Sequence, residues 1–187
     1  MANEYETLED IVRTQYVNVV WTHKIQEKQA EIYERCYRIL SIINIVGASL
    51  TSVGIFSVIF NDELCLKIFS TVVAFITTTI SAILASFNYN DMAKANKATA
   101  TKLVRLRNNY QVLLTKMKYP EPNLQDLTNE YEDLLEQTHD VYSNAPNTTS
   151  RAVKKASVAL KVKNDGVYSN EEIDAFLPES LRRNQNE

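Results

Sequence analysis

The chain has 187 residues, and its 20 Lys and Arg against 23 Asp and Glu leave a formal net charge of −3. Three Gly and four Pro are far too few for a turn-rich sandwich or barrel, and no nucleic-acid partner is expected. Two Cys, at 36 and 65, have no metal spacing.

Residues 4–38 read as one amphipathic helix, with Leu8, Ile11, Gln15, Val19, Thr22, Ile32 and Tyr33 near helical spacing. A polar patch around 23–28 interrupts the pattern. No Pro or Gly breaks this stretch, so it can run on into the apolar sequence beyond Arg38. The first apolar run begins near position 39, too late for a cleaved signal peptide, and no targeting segment is expected at the N-terminus. Tyr33 and Tyr37, next to that run, are candidates for a membrane interface.

Two runs then carry no charge at all, 39–61 between Arg38 and Asp62, and 68–90 between Lys67 and Asp91. As helices they measure roughly 34 Å each, and about 20 apolar residues cross a bilayer core. The short polar loop 61–67 turns the chain back, so 39–90 is expected to form a transmembrane hairpin with spans of about 39–60 and 68–90. Arg35 and Arg38 precede the first span, and Lys94, Lys97, Lys102, Arg105 and Arg107 follow the second. The loop has only Lys67 beside Asp62 and Glu63, so the positive-inside rule places both termini in the cytoplasm. Cys36 and Cys65 then lie at opposite membrane faces and cannot bridge within one chain.

Small residues mark both spans. Gly47, Thr51, Gly54 and Ser57 recur in the first, and Ser70, Ala74, Thr78, Ala82 and Ser86 at every fourth position in the second. Such stripes let helices approach closely in lipid. Either both pack the hairpin on itself, or one packs the hairpin and the other meets a second subunit. Asn44 and the Thr77, Thr78, Thr79 run are the most polar groups in the spans, and Asn44 and Thr77 are candidate pore-lining residues. A lone Asn in a span is more often hydrogen-bonded to a neighbouring helix.

Residues 91–118 continue as a helix carrying seven basic side chains and one acidic, with a seam at Leu103, Leu106, Tyr110, Leu113 and Met117. Pro120 and Pro122 stop it. Residues 123–142 repeat the seam at Leu124, Leu127, Tyr131, Leu134, Thr138 and Val141, and 119–147 hold seven acidic and no basic side chains. The two are expected to fold back as an antiparallel pair whose unlike charges select the partner. After a loop at 144–150, residues 151–163 read as a short helix with Ala152, Val153, Ala156, Ala159 and Leu160 on one face. Gly166 ends it. Ser169 and Glu172 form a capping box for a last helix that stops before Pro178. The fold class is thus an all-α membrane protein: an N-terminal helix (1–38), a hairpin (39–90) and a C-terminal helical region (91–187) making one domain, with a cytoplasmic bundle drawn from both flanks.

No constellation carries catalysis. Glycines at 47, 54 and 166 cannot form a phosphate-cradling loop, His23 and His139 are isolated, and no potassium-filter sequence is present. No cofactor, metal or enzymatic activity is expected.

The hairpin after an N-terminal helix, the long basic helix leaving the membrane, and the segments 145–152 (APNTTSRA) and 168–178 (YSNEEIDAFLP) resemble the SLATT family. These are two-transmembrane effector domains associated with SMODS nucleotidyltransferases and SLOG sensors. The resemblance implies a membrane effector of bacterial anti-phage conflict systems, in the inner membrane. It would open a pore or disrupt the bilayer when a nucleotide second messenger or a sensor protein triggers it. The family brings no catalytic residues. Two helices alone cannot enclose an aqueous path, so a pore requires a homo-oligomer. The alternatives are a non-pore scaffold that recruits a partner through its cytoplasmic helices, and a constitutive small channel with Asp62 and Glu63 as an acidic mouth.

Overall fold

The computed structural model describes residues 2–60, 64–119, 123–178 and 182, with side chains described at 4–54 and from 64 onward within those ranges. Ser57, Asp62, Glu63, Pro120 and Pro122, singled out above, lie outside the described side chains. Among the described residues all regular structure is helical: α1 (Ala2–Phe60), α2 (Leu64–Ser86), α3 (Tyr89–Lys116), α4 (Leu124–Ser143), α5 (Ser150–Lys161) and α6 (Asn170–Phe176).

Helix α1 is the spine. Its 59 residues contain no Pro, so nothing removes a backbone donor, and it runs unbroken for about 88 Å at 1.5 Å per residue. Every other helix except α6 packs against it. Helix α2 lies along its C-terminal part and α3 along its N-terminal part, both antiparallel to it. The ring of Tyr33 lies 6.1 Å from that of Tyr89, and the Tyr5 hydroxyl donates to the Met117 carbonyl. The path from Tyr5 to Tyr33 and the path from Tyr89 to Met117 contain equal numbers of residues, so the two helices stay in register between these contacts.

The seam follows from spacing. Seven-residue steps along α1 pass through Val12, Val19, Gln26, Tyr33, Leu40, Gly47 and Gly54, all buried or half-buried, as a heptad pairing requires. The facing side of α3 is Ala93, Asn96, Ala100, Leu103, Leu106, Tyr110 and Leu113, all buried. Ile11, expected from the sequence in the apolar face, is exposed, and Val12 takes the buried place. The reason is register. Val12 lies four residues from Leu8 and seven from Val19, whereas Ile11 sits about 100° round the helix from it.

Helix α4 packs antiparallel to α3. The Tyr110 hydroxyl and Thr138 Oγ1 are 3.0 Å apart in the buried interface, and Lys116 donates to Glu130 at 2.8 Å. Leu127 and Leu134 are buried, with Leu124, Tyr131 and Val141 partly buried against the same core. The pairing expected between the basic and the acidic helix is therefore present. However, α3 makes its larger contact with α1, a partner that the charge contrast does not reveal.

The second apolar run does not continue as one helix to residue 90. Helix α2 ends with Phe87 N donating to Ile83 O, and α3 begins with Met92 N donating to Asn88 O. The break falls at Phe87 and Asn88, without Gly or Pro. The Asn88 amide donates to the Asp91 carboxylate rather than accepting from the backbone, and Asp91 suits the positive end of α3. Phe87, Tyr89, Tyr33 and the exposed Tyr37 gather at this level, where aromatic side chains favour a lipid–water boundary.

Truncating the fully buried Leu103 to Ala should lower unfolding stability by about 2–5 kcal/mol. Val17→Ala, at a position 59 % exposed, should stay within about 0.5 kcal/mol. Thermal unfolding in detergent followed by circular dichroism makes the comparison. Equal effects would mean the seam is wrongly assigned.

Candidate functional site: the membrane hairpin and the bundle dock

In the hairpin, α1 and α2 meet through their smallest side chains. A Cβ added at Gly47 would overlap Thr77 Oγ1, and one at Gly54 would overlap Ser70 Oγ. One turn nearer the aromatic level, Ser81 Oγ donates to Asn44 Oδ1 at 2.8 Å. The glycines therefore let the two backbones approach closely, which is how helices associate where no hydrophobic effect acts. Thr51, on the same face of α1, is half-buried and donates to Gly47 O.

The every-fourth-residue series of α2 is not one face. Each step of four residues turns about 40° beyond a full circle, so Ser70 and Ser86 lie about 160° apart. Ser70 is buried and Ala74 half-buried in the seam, while Thr78, Ala82 and Ser86 are exposed on the outside of the pair. The seam instead steps by three and four through Ser70, Val73, Thr77 and Ser81. Asn44 and Thr77, the candidate pore-lining residues, both sit in this seam between the spans.

Ser70 Oγ is buried in the seam without a hydrogen-bond partner among the described residues, but several hydroxyls of the spans are satisfied by their own helix. Thr71, Thr77, Thr78 and Thr79 donate to the carbonyls four residues earlier at 2.8 Å, and Ser49 and Ser52 do the same in α1. These bonds answer the demand that polar groups in lipid be paired internally.

In the bundle, α5 lays Ala152, Ala156 and Ala159 against α1, and a polar dock fixes its start. Gln29 Oε1 accepts from both Thr149 N and Thr149 Oγ1 at 2.8 Å, and Gln26 Nε2 donates to Pro146 O at 3.1 Å. Thr149 is also the N-cap of α5. The segment 145–152 thus binds the polar patch that the sequence showed only as an interruption. Gln26 and Gln29 were not singled out from the sequence, although the seven-residue series through Val19 and Tyr33 contains Gln26. Val153, expected on the packed face of α5, is exposed, because the alanines at 152, 156 and 159 alone permit close approach.

The other end of α5 is tied by charge. Lys24 Nζ, buried on α1, reaches Glu27 at 2.7 Å and Asp165 at 2.9 Å, and Lys161 lies 5.4 Å from the centroid of the Trp21 ring. Burial opposes the Lys24 charge, but hydrogen bonds and attraction from Glu27 and Asp165 outweigh it and raise its pKa. The hydrogen bond from Lys24 holds Asp165 below the usual carboxylate value. The Asp165 contribution is therefore in place above the ordinary carboxylate pKa and is lost as pH falls through the depressed one. His23 is pushed below its ordinary pKa chiefly by burial. Among the described residues no group of three His, Cys, Asp or Glu comes together, and Cys36 and Cys65 are both free.

The model of the SMODS and SLOG-associating 2TM effector domain family 4 matches residues 8–172. The match takes in the hairpin, the bundle and the dock, and ends inside α6, so Ile173 to Pro178 of the second resembling segment lie beyond it. No curated protein and no solved structure matches the chain.

Gly47→Leu and Gly54→Leu should each separate the spans, whereas Ala82→Leu should leave them paired. Disulfide formation between Asn44→Cys and Ser81→Cys, in a chain freed of its native cysteines, reads the distance. If the glycine variants crosslink as well as the parent, the seam is misplaced. In the dock, Gln29→Ala should cost about 1–3 kcal/mol by stranding its partners. Hydrogen exchange should then speed up in 150–161 and stay slow in 100–113.

Proposed function

Because the chain belongs to family 4 of the SMODS and SLOG-associating 2TM effector domains, we propose that it is a membrane effector of a bacterial anti-phage conflict system. In this reading several copies assemble in the inner membrane and open a pore or disrupt the bilayer, and growth arrest or death follows. The trigger is a nucleotide second messenger or a sensor protein acting on a cytoplasmic bundle, and no catalysis is assigned to the chain.

The observation that carries the reading is the continuity of α1. One helix forms the core of the bundle with α3, receives α5 at its middle, and becomes the first span. A change in how the bundle packs is therefore passed to the hairpin without an intervening flexible linker. Assembly is required because the seam of one hairpin is filled by Gly47, Gly54, Ser70, Thr77 and the Asn44–Ser81 hydrogen bond, which leaves no water path inside a single copy. The outward Thr78, Ala82 and Ser86 supply small residues for a neighbouring span.

The same filled seam also favours a second reading, a scaffold that recruits a partner through the bundle and never conducts. Purified protein in liposomes separates the two. Ion flux on triggering, with membrane depolarisation and growth arrest in cells, supports the effector that permeabilises. Triggered arrest without flux in either system leaves the scaffold.

The excess of Lys and Arg outside the loop favours cytoplasmic termini. In intact spheroplasts an impermeant thiol reagent should label Cys65 and spare Cys36. The reverse pattern would invert the orientation.

A further inference from the structure

One motif is used by neither the hairpin nor the bundle. Beyond α5 the chain turns outward through Asn164 (φ 49°) and Gly166 (φ 87°), left-handed conformations that suit these two residue types. It then forms α6, with which no other described helix makes an extended contact. Helix α6 is nevertheless well specified. Ser169 and Glu172 complete a capping box at its start. Its single short stretch is too brief to hold a helix alone in water, and its apolar side faces solvent, with Ile173 exposed and Phe176 88 % exposed. Its charges are all of one sign: Glu171, Glu172 and Asp174. A capped, acidic helix that displays a Phe and an Ile has the makings of a ligand for a basic, apolar-floored groove.

Such a groove lies between α1 and α5, with a volume of about 420 Å³. Val158 and Ala159 form its floor, and Lys28, Lys154, Lys155 and Lys163 stand around it. Lys28 is already paired with Glu31, and the Asp165 carboxylate is taken by Lys24. Lys154, Lys155 and Lys163 have no carboxylate within salt-bridge distance among the described residues. The groove thus offers three cations outside any salt bridge, of which Lys163 lies near Asp165, beside an exposed Val158.

We propose that this groove receives α6 from a second copy of the chain, with Phe176 and Ile173 on Val158 and Glu171 and Glu172 against Lys154, Lys155 and Lys163. Within one chain α6 makes no extended contact with α1 or α5, the two walls of the groove, so the occupant is assigned to a neighbour. Each copy then gives a helix and receives one, a head-to-tail contact that closes into a ring where the rotation allows. Subunits are linked through the bundle independently of the spans. The inference rests on the homo-oligomeric reading proposed for the effector.

The test uses full-length chains lacking Cys36 and Cys65 (Cys36→Ser, Cys65→Ser) in native membranes. One tagged chain carries Phe176→Cys, and a differently tagged chain carries Val158→Cys. The expected result is a disulfide-linked pair bearing both tags, lost when Lys154→Glu and Lys155→Glu are added to the Val158→Cys chain. Native gels of the same membranes report assembly in parallel. Persistence of the crosslink despite both charge reversals would overturn the electrostatic match. When both cysteines are placed in one chain, a link confined to that chain would overturn the exchange and make α6 a lid on its own groove. Oligomers without any crosslink would overturn the docking and leave the oligomeric reading standing, whereas an absence of oligomers overturns both.

Discussion

The structure depends on a single face of one helix. Helix α1 presents the same seven-residue seam to its partners from Val12 to Gly54, but the solvent outside changes from water to lipid along the way. In water the seam is held by burial of apolar surface, so Val12 and Val19 meet Leu103, Leu106 and Tyr110. In lipid burial yields nothing, since the surroundings are as apolar as the interior. There the seam shrinks to Gly47 and Gly54, and close contact with Thr77 and Ser70 takes over. One geometric repeat thus serves two different driving forces, and the side chain at each step shows which one operates.

Between these regimes lies a polar stretch. Lys24, Gln26 and Gln29 of α1 and Asn96 of α3 are all buried, which costs stability unless their partners are in place. Lys24 is met by Glu27 one turn away and by the distant Asp165. Gln26 and Gln29 each reach the distant Pro146 or Thr149 through one end of the amide. Gln26 Oε1, Gln29 Nε2 and Asn96 Oδ1 are left buried without a protein partner among the described residues. A shift of the segment 146–165 along α1 would carry Lys24, Gln26 and Gln29 away from their partners, so the stretch fixes where α5 and the loop before it sit on α1. A buried polar position plays the same part in coiled coils.

Much of the fold was legible in the sequence because its signals are local. A charge-free run as long as 39–61 declares a span, and apolar residues stepping by three and four through 103, 106, 110 and 113 and through 124, 127, 131 and 134 declare buried faces. What stayed hidden depends on partners. Gln26 and Gln29 are indistinguishable from a solvated patch until the loop at 145–149 is seen against them. The break at Phe87 and Asn88 has no Gly or Pro to announce it. The series from Ser70 to Ser86 looks like a face because four residues nearly complete a turn. Only the accumulated excess over a full turn shows that it crosses from the seam to the outside. Likewise, the charge contrast between α3 and α4 identified a true pair but could not reveal that α1 is the closer partner of α3.

The break between α2 and α3 sets the mechanics of the whole rod. Two long strands run side by side from the bundle into the bilayer, and only one of them is interrupted. Between the Tyr33–Tyr89 contact and the Asn44–Ser81 contact, α1 spends more residues from Tyr33 to Asn44 than the other strand does from Ser81 to Tyr89. The non-helical residues at Phe87 and Asn88 cover more length apiece, which makes up the difference. A rod with one continuous and one jointed strand is stiff in tension along the first and compliant at the second. Load between bundle and hairpin therefore meets an unbroken ladder of backbone hydrogen bonds in α1 and an interrupted one at Phe87 and Asn88.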